Sequence, residues 1–474
     1  MDCISDVVMT DLERLFYPRS VAVVGLSNDS GSFSGRNWID NLLQLRFKGQ
    51  IYPVSRTIKE YRGLKVYQTI TEIPGDIDLI IISVPVQYTT QTMDQCVQKA
   101  AGFAQIYTAG FSEIGERGAA IEKEITEIAK KGGVRIVGPN CMGVYCPDGN
   151  ISWRTDFPSE SGEVALLSQS GFNAVNIINL AASREVRFTK VVSYGNAADL
   201  NETDFIDYFA GDPESKVIGI YVEGIRSGVS FVEALRKMAR IKPVIVLKGG
   251  YTQAGARAAQ SHTASLTTST DIWKSMLLQV GAVEALDLTE FVDTTLAFLH
   301  LPLIKTKGVA LIGSGGGTGV LGADACEKAG LTVPPLPTDI INTLSQFIPE
   351  YGTSVKNPID LPFAITAQHF LETINAAASY DDFASLIIHF DVDTILLFSG
   401  ETRLIEMLDV VVSAALDCDK PVVVVLRAST SPEGAKIISE WQHILVSNNV
   451  PVFPTIDQAA KAISNVINYY RRKS

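Results

Sequence analysis

Short, uninterrupted apolar runs alternate with amphipathic stretches along the whole chain. Val21-Ala-Val-Val24, Ile51-Tyr-Pro-Val54, Leu79-Ile-Ile-Ile82, Phe103-Ala-Gln-Ile106 and Val134-Arg-Ile-Val137 have the length and continuity of strands buried on both faces of a parallel sheet. The stretches between them are long enough for crossover helices, so this set predicts one doubly wound α/β domain that ends near Pro147. Turn formers around Pro147-Asp-Gly149 and Pro158-Ser-Glu-Ser-Gly162 precede a second set. That set is Val164-Ala-Leu-Leu167, Thr189-Lys-Val-Val192, Val217-Ile-Gly-Ile-Tyr-Val222 and Val244-Ile-Val-Leu247. A break at Leu301-Pro-Leu-Ile-Lys-Thr-Lys-Gly308 leads to a third, read as Val309-Ala-Leu-Ile312, Thr394-Ile-Leu-Leu-Phe398 and Val422-Val-Val-Val-Leu426. The expectation is an α/β protein of three consecutive doubly wound domains, 1–147, 148–302 and 303–474.

The length of 474 residues agrees with several cores rather than one. A formal charge of −12 excludes a protein that holds nucleic acid by broad phosphate neutralisation, so any anion must be bound locally. The apolar runs stop far short of the roughly 20 residues a membrane helix needs. Met1-Asp-Cys-Ile-Ser-Asp6 lacks the basic and apolar regions of a secretory signal, which makes the cytoplasm the expected location. The six cysteines, Cys3, Cys96, Cys141, Cys146, Cys326 and Cys418, form neither a paired zinc motif nor a disulfide framework, so no metal site is expected.

Parallel sheets place ligands where strand ends feed helix N-termini. In the first domain, Gly25-Leu-Ser-Asn-Asp-Ser-Gly31-Ser-Phe-Ser-Gly35 follows a strand and precedes the helical stretch from Asn37 to Leu43, as a phosphate cradle would. Its spacing is not the dinucleotide fingerprint. The next strand runs into Ser55-Arg56-Thr57 rather than into an acid, and such a cationic end suits a phosphorylated ribose, as in coenzyme A or NADP. A solvated surface role for Arg56 and Lys59 is equally compatible. In the second domain Ser168-Gln-Ser-Gly171 joins a strand to a helix, where Ser170 can act as a cap or help to hold phosphate. The third domain opens with Gly313-Ser-Gly-Gly-Gly-Thr-Gly319, whose backbone N–H groups suit an anion. One of five histidines, His262, lies in the small-residue segment Ala256-Arg-Ala-Ala-Gln-Ser-His-Thr-Ala-Ser-Leu266, which leaves its ring open to a phosphoryl group. His300, His369, His389 and His443 lack such surroundings and are read as structural or surface residues.

Ser20-Val-Ala-Val-Val-Gly25, Gly138-Pro-Asn-Cys141, Ser168-Gln-Ser-Gly171, Glu223-Gly-Ile-Arg226, the His262 segment and Asn357-Pro-Ile-Asp-Leu361 occur together in the order found in nucleoside-diphosphate-forming acyl-CoA synthetases. The sequence resembles that family over nearly its whole length. The resemblance implies a Rossmann-like CoA-binding domain, a flavodoxin-like domain carrying a phosphorylated histidine, and a flavodoxin-like ligase-associated domain. It implies that His262 is phosphorylated and that Glu223 holds its ring. Ser170, Gly171, Gly315, Gly316 and Gly317 would bind the phosphoryl group. Gly25, Ser27, Pro53, Ser55, Val84, Pro85, Asn140 and Cys141 would surround coenzyme A.

The resemblance further implies a hetero-oligomer in which an ATP-grasp β-type subunit holds ATP or ADP with Mg²⁺, and a small carboxylic acid or acyl-CoA as substrate. Phe172 stands where the family more often has a small residue, and Thr263-Ala-Ser-Leu266 replaces the usual Thr-Gly-Ala-Leu. Two other readings stay open at this level. One is a CoA-binding sensor or scaffold without phosphotransfer, and the other is an NADP-dependent oxidoreductase.

Overall fold

The computed structural model describes residues 12–27, 35–257 and 269–473. Three parallel sheets carry the chain. The first contains β1 (Ser20–Val24), β2 (Gln50–Val54), β3 (Leu79–Ile82), β4 (Phe103–Ile106) and β5 (Arg135–Val137), in the order β2-β1-β3-β4-β5. The second contains β6 (Gly143–Tyr145), β7 (Val164–Ser168), β8 (Phe188–Ser193), β9 (Val217–Val222), β10 (Val244–Lys248) and β11 (Val283–Ala285), in the order β11-β10-β9-β7-β8-β6. The third contains β12 (Val309–Gly313), β13 (Ile359–Asp360), β14 (Ser385–Phe390), β15 (Val422–Leu426) and β16 (Val452–Phe453), in the order β13-β12-β14-β15-β16.

Setting aside the antiparallel edge strand β6, each sheet repeats one topology, with strand order 2-1-3-4-5 inside its own domain. Chain direction therefore reverses across the sheet between the first and third strands of each set. The loops that leave those two strands part to opposite faces and open a crevice. The crevices lie between β1 and β3, between β7 and β9, and between β12 and β14. The central strands are wholly buried, as in Leu79–Ile82, Val217–Val222 and Val422–Leu426. This explains why they read as continuous apolar runs rather than alternating ones.

The first two sheets belong to one compact unit, extending through Ala182 and again from Val186 to Leu288. The third sheet belongs to a second unit, with Ser183–Glu185 and the chain from Thr289 onward. Most of helix Leu288–His300 lies in that second unit. It packs there on helix Ile456–Lys473, where Gln458 Nε2 donates to Asp293 Oδ2 at 2.7 Å and Asn465 Nδ2 to Thr294 Oγ1 at 2.9 Å. Phe298 meets Tyr469 edge-on at 5.1 Å between ring centres.

One strand expected from the sequence is corrected. Thr394-Ile-Leu-Leu-Phe398 is not a strand but lies in helix Val392–Asp417. Asp391 caps that helix by accepting from Thr394 N at 3.1 Å, and Leu397 and Phe398 are 77 % and 66 % exposed, so the run has no sheet to be buried in. The strand is Ser385–Phe390 just before it. Gly143–Tyr145, which precedes the Pro147 turn, pairs antiparallel with β8 as an edge of the second sheet.

Candidate functional site

The first crevice begins at Gly25, whose φ of +111° is open only to glycine and whose added Cβ would lie 2.1 Å from the Ser83 carbonyl oxygen. This close approach lets the loops after β1 and β3 line one wall. Ser55 closes the crevice at its β2 side, donating its hydroxyl to Leu26 O at 2.8 Å and accepting from Thr57 N and Ile58 N. Thr108 Oγ1 donates to Val84 O at 2.6 Å, and Asn140, held at φ +55°, donates its backbone N–H to Thr108 O at 3.0 Å. These ties bring the ends of β1 to β5 around a cavity of about 1140 Å³.

Gly25, Ser27, Ser55, Val84, Pro85, Asn140 and Cys141 line this cavity, and so do Ser170 and Gly171 of the second domain. Pro53 does not: it is buried within β2, and its carbonyl accepts from Tyr67 N. Cys141 is buried, donates weakly to Ile106 O and Val137 O at 3.5 Å each, and has its pKa pushed up by burial to about 12. A thiol so held is a wall, not a nucleophile, near neutral pH. Arg56 stands at the mouth, with Nη2 donating to Gln91 Oε1 at 2.7 Å and its guanidinium 5.7 Å from the centre of the Tyr88 ring. The volume exceeds the roughly 300–1,000 Å³ of common small-molecule pockets, and the mixed lining fits a nucleotide with a long, partly apolar arm.

The inner end of the cavity reaches the loop after β7. Ser170 caps helix Gly171–Ala182, its Oγ accepting from Asn173 N at 3.3 Å, and Ser168 Oγ donates to Ser170 O at 2.6 Å. Gly171 is required for packing, since a Cβ there would lie 2.4 Å from Met142 Cγ. Phe172 projects from the first turn, 71 % exposed, and lines the cavity.

Across the second crevice, β9 ends in the Glu223 turn. Tyr221 Oη donates to Glu223 Oε1 at 3.1 Å, while Gln169 Oε1 accepts from Glu223 N at 2.7 Å and Gly224 N at 3.0 Å. Arg226 Nη2 donates to Asn196 O at 2.6 Å and pairs with Glu122 Oε1 at 3.1 Å. Asn196 Nδ2 in turn reaches Glu113 Oε2 at 2.6 Å and Glu122 Oε2 at 3.0 Å, and Asn196 lines the cavity. Burial pushes the Glu113 carboxyl up, but the Asn196 amide and the N–H groups of Gly110 and Phe111 outweigh this and leave it below its ordinary range. The chain from β10 to helix Thr270–Val280 contains His262, which lies outside the described residues. Gln169, Tyr221, Asn196 and Arg226 are contributors that sequence reasoning did not assign. The quoted motifs contained Gln169 and Arg226, yet only the folded geometry shows what they touch.

In the second unit, Gly315, Gly316 and Gly317 open helix Gly316–Lys328. Gly315 N donates to Asp360 Oδ1 at 2.6 Å, and a Cβ on Gly316 would lie 3.0 Å from Asp360 Oδ2. Burial raises the Asp360 pKa, opposed by the Gly315 and Gly316 N–H groups. Gly317 has open space beside it. His389 is buried beneath this loop, its ring against Gly313, and burial pushes its pKa down to about 4, so it is neutral. Among the described residues no group of three or more His, Cys, Asp or Glu side chains is placed to hold a metal ion, and no helix is long and apolar enough to cross a membrane.

Fold and cavity together define a three-domain α/β protein built to bind a large nucleotide-type ligand beside a second, phosphate-suited helix terminus. Family models agree domain by domain: a CoA binding domain matches residues 19–147, a succinyl-CoA ligase-like flavodoxin domain 161–298, and a ligase-CoA domain 309–464. The chain is 36 % identical over 453 residues to the alpha subunit of ADP-forming acetate–CoA ligase II of Pyrococcus furiosus, covering 95 % of this chain and 96 % of that protein. It is 34 % identical to ADP-forming acetate–CoA ligase I of Archaeoglobus fulgidus, covering 97 % of this chain and 64 % of that longer protein. A solved structure of the dinucleotide-forming acetyl-coenzyme A synthetase 1 of Ca. Korarchaeum cryptofilum, in complex with phosphate and ADP, superposes with a TM-score of 0.84 at 31 % identity, covering 98 % of this chain and 97 % of that one. The chain belongs to the ADP-forming acyl-CoA synthetases, a family of acid–thiol ligases. These likenesses favour ligase chemistry over the oxidoreductase and sensor readings.

Proposed function

We propose that this chain is the CoA-binding, phosphohistidine-carrying subunit of a cytoplasmic, hetero-oligomeric ligase. It interconverts acyl-CoA, ADP and phosphate with a small carboxylic acid, CoA and ATP. The observation that carries this reading is the continuity of one cavity from the CoA-type crevice at Gly25 and Ser55 to the Ser170–Gly171 helix terminus, beside the loop that meets the Glu223 turn.

In the synthetic direction of ATP, a phosphate oxygen attacks the thioester carbonyl. The C–S bond breaks, and the thiolate of CoA leaves with the proton that phosphate gives up. A ring nitrogen of His262 then attacks phosphorus of the acyl phosphate, releasing the carboxylate, and the phosphoryl group passes from His262 to ADP. Glu223 orients the imidazole and stabilises its positive charge as the N–P bond forms. In the first unit the helix N-terminal amides at Ser170 and Gly171 stabilise equatorial phosphoryl oxygens; in the second unit the amides at Gly315, Gly316 and Gly317 form a separate helix terminus of the same phosphate-binding type. Since Gly315 N is engaged by Asp360, Gly317 is the least encumbered of the three.

An ATP-grasp β-type subunit holds ADP or ATP with Mg²⁺ and supplies the charge neutralisation of phosphoryl transfer. Supporting this division, the Pyrococcus relative is itself named as an alpha subunit. The test is coupled turnover of acetyl-CoA, phosphate and ADP by the chain with its partner, against the His262→Ala variant. Loss of ATP formation in the variant supports the mechanism, and retained turnover refutes it.

A further inference from the structure

We propose that Tyr221 and Gln169 are positioning residues for the Glu223 carboxylate, an assignment that rests on Glu223 being the partner of the His262 imidazole. A glutamate at a strand end is mobile by default, and fixing such a side chain costs about 1.5–2 kcal/mol of rotamer freedom. A carboxylate that must meet an imidazole at one angle needs that freedom removed beforehand. The structure does this from three sides. Tyr221 lies two residues earlier on the same face of β9, so its hydroxyl falls beside the carboxylate and donates to Oε1 at 3.1 Å. Gln169 Oε1 accepts from both Glu223 N and Gly224 N, the first amides past the end of the strand. On the third side, a Cβ added to Gly249 would lie 2.8 Å from Tyr221 Oη and 3.2 Å from Glu223 Cγ, so the pair is closed in.

Gln169 is itself fixed by the ladder between β7 and β9. Its N–H donates to Tyr221 O at 3.0 Å, one step beyond the pairing of Ser168 with Tyr221. The loop that offers Ser170 and Gly171 to a phosphoryl group is thereby built into the same rigid piece as the carboxylate. Coupling of the two follows from parallel strand register at the crevice. It is independent of the identity of the acid.

The test measures phosphate incorporation from acetyl-CoA and inorganic phosphate by quench and intact mass. It uses the wild type, Tyr221→Phe, Gln169→Leu and Glu223→Ala, and each of the first two combined with Glu223→Ala, with CoA affinity measured by calorimetry throughout. Tyr221→Phe removes one oxygen and Gln169→Leu one acceptor. Each should slow phosphorylation by about tenfold or more, with CoA affinity for Tyr221→Phe within about twofold of wild type. In the Glu223→Ala background the same changes should cost less than about twofold, because they act through a carboxylate no longer present. Wild-type rates in both single variants, or equal losses in both backgrounds, would overturn the assignment while leaving the phosphohistidine intact. If wild type takes up no phosphate, or Glu223→Ala matches wild type, the underlying reading of the site fails and the assignment falls with it.

Discussion

Replacing Gly25 by alanine tests how the first crevice is made. The residue sits at φ +111°, outside the left-handed region that non-glycine residues can reach cheaply, so the backbone strain alone is about 1–3 kcal/mol. The new Cβ would also lie 2.1 Å from the Ser83 carbonyl oxygen and 2.6 Å from its carbon, both backbone atoms that cannot rotate away. Relief requires the ends of β1 and β3 to separate, at the expense of Ser83 N donating to Val24 O at 2.9 Å and Gly25 N donating to Val54 O at 3.3 Å. Overpacking of this kind costs about 1–3 kcal/mol, for a total of about 2–6 kcal/mol. Denaturant melts should show that loss, and calorimetry should show CoA affinity reduced by about tenfold or more, since the displaced loops are the cavity wall. A variant within about 0.5 kcal/mol of wild type that binds CoA normally would refute the claim that close approach at Gly25 shapes the crevice.

Three further outcomes follow from local geometry. Gly317→Ala meets no atom within 4 Å at a helical position, so it should stabilise the second unit by about 0.5–1 kcal/mol in a melt while slowing phosphoryl transfer to ADP. Unchanged transfer would remove Gly317 from the phosphoryl site. Arg56→Ala should weaken binding of CoA more than binding of dephospho-CoA, compared by calorimetry; equal losses would mean that Arg56 does not read the ribose phosphate. Asp78 accepts from Arg19 N at 2.8 Å, Nε at 3.0 Å and Nη2 at 3.0 Å. Burial pushes its carboxyl up, but the Arg19 bonds and charge outweigh burial and hold it below 3.8. Its stabilising contribution is therefore present above that value and lost as pH falls through it and below. Urea midpoints of Asp78→Asn should converge with wild type towards pH 3 and diverge above pH 5 (about one unit either side of the ordinary carboxyl value); a constant difference would refute the sign.

Much of the fold was legible because parallel strands buried on both faces leave continuous apolar runs, and because glycine loops at their ends interrupt the pattern. Thr394–Phe398 shows the limit: five apolar-leaning residues suit a strand or a buried helix, and the Asp391 cap decides the matter. The edge strand Gly143–Tyr145 was hidden because its partner, Val191–Ser193, lies nearly fifty residues on. The motif loops were legible as phosphate-suited strand ends. Their internal wiring was not. That Ser55 spends its hydroxyl on Leu26, that Asp360 takes the Gly315 amide, and that Gln169 holds the Glu223 turn all depend on contacts across crevices. Cys141 was expected to line the coenzyme A crevice, and its burial, which pushes the thiol up to about 12, suits a wall and not a nucleophile.

The central claim is that His262 carries the phosphoryl group between the acyl and nucleotide halves of the reaction. Its most direct measurement is the intact mass of the chain after incubation with acetyl-CoA and inorganic phosphate, beside His262→Ala, followed by acid and base treatment. One added phosphoryl group is expected on the wild type only, lost in acid and retained in base. An equal gain on the alanine variant, or a phosphate stable to acid, would contradict it.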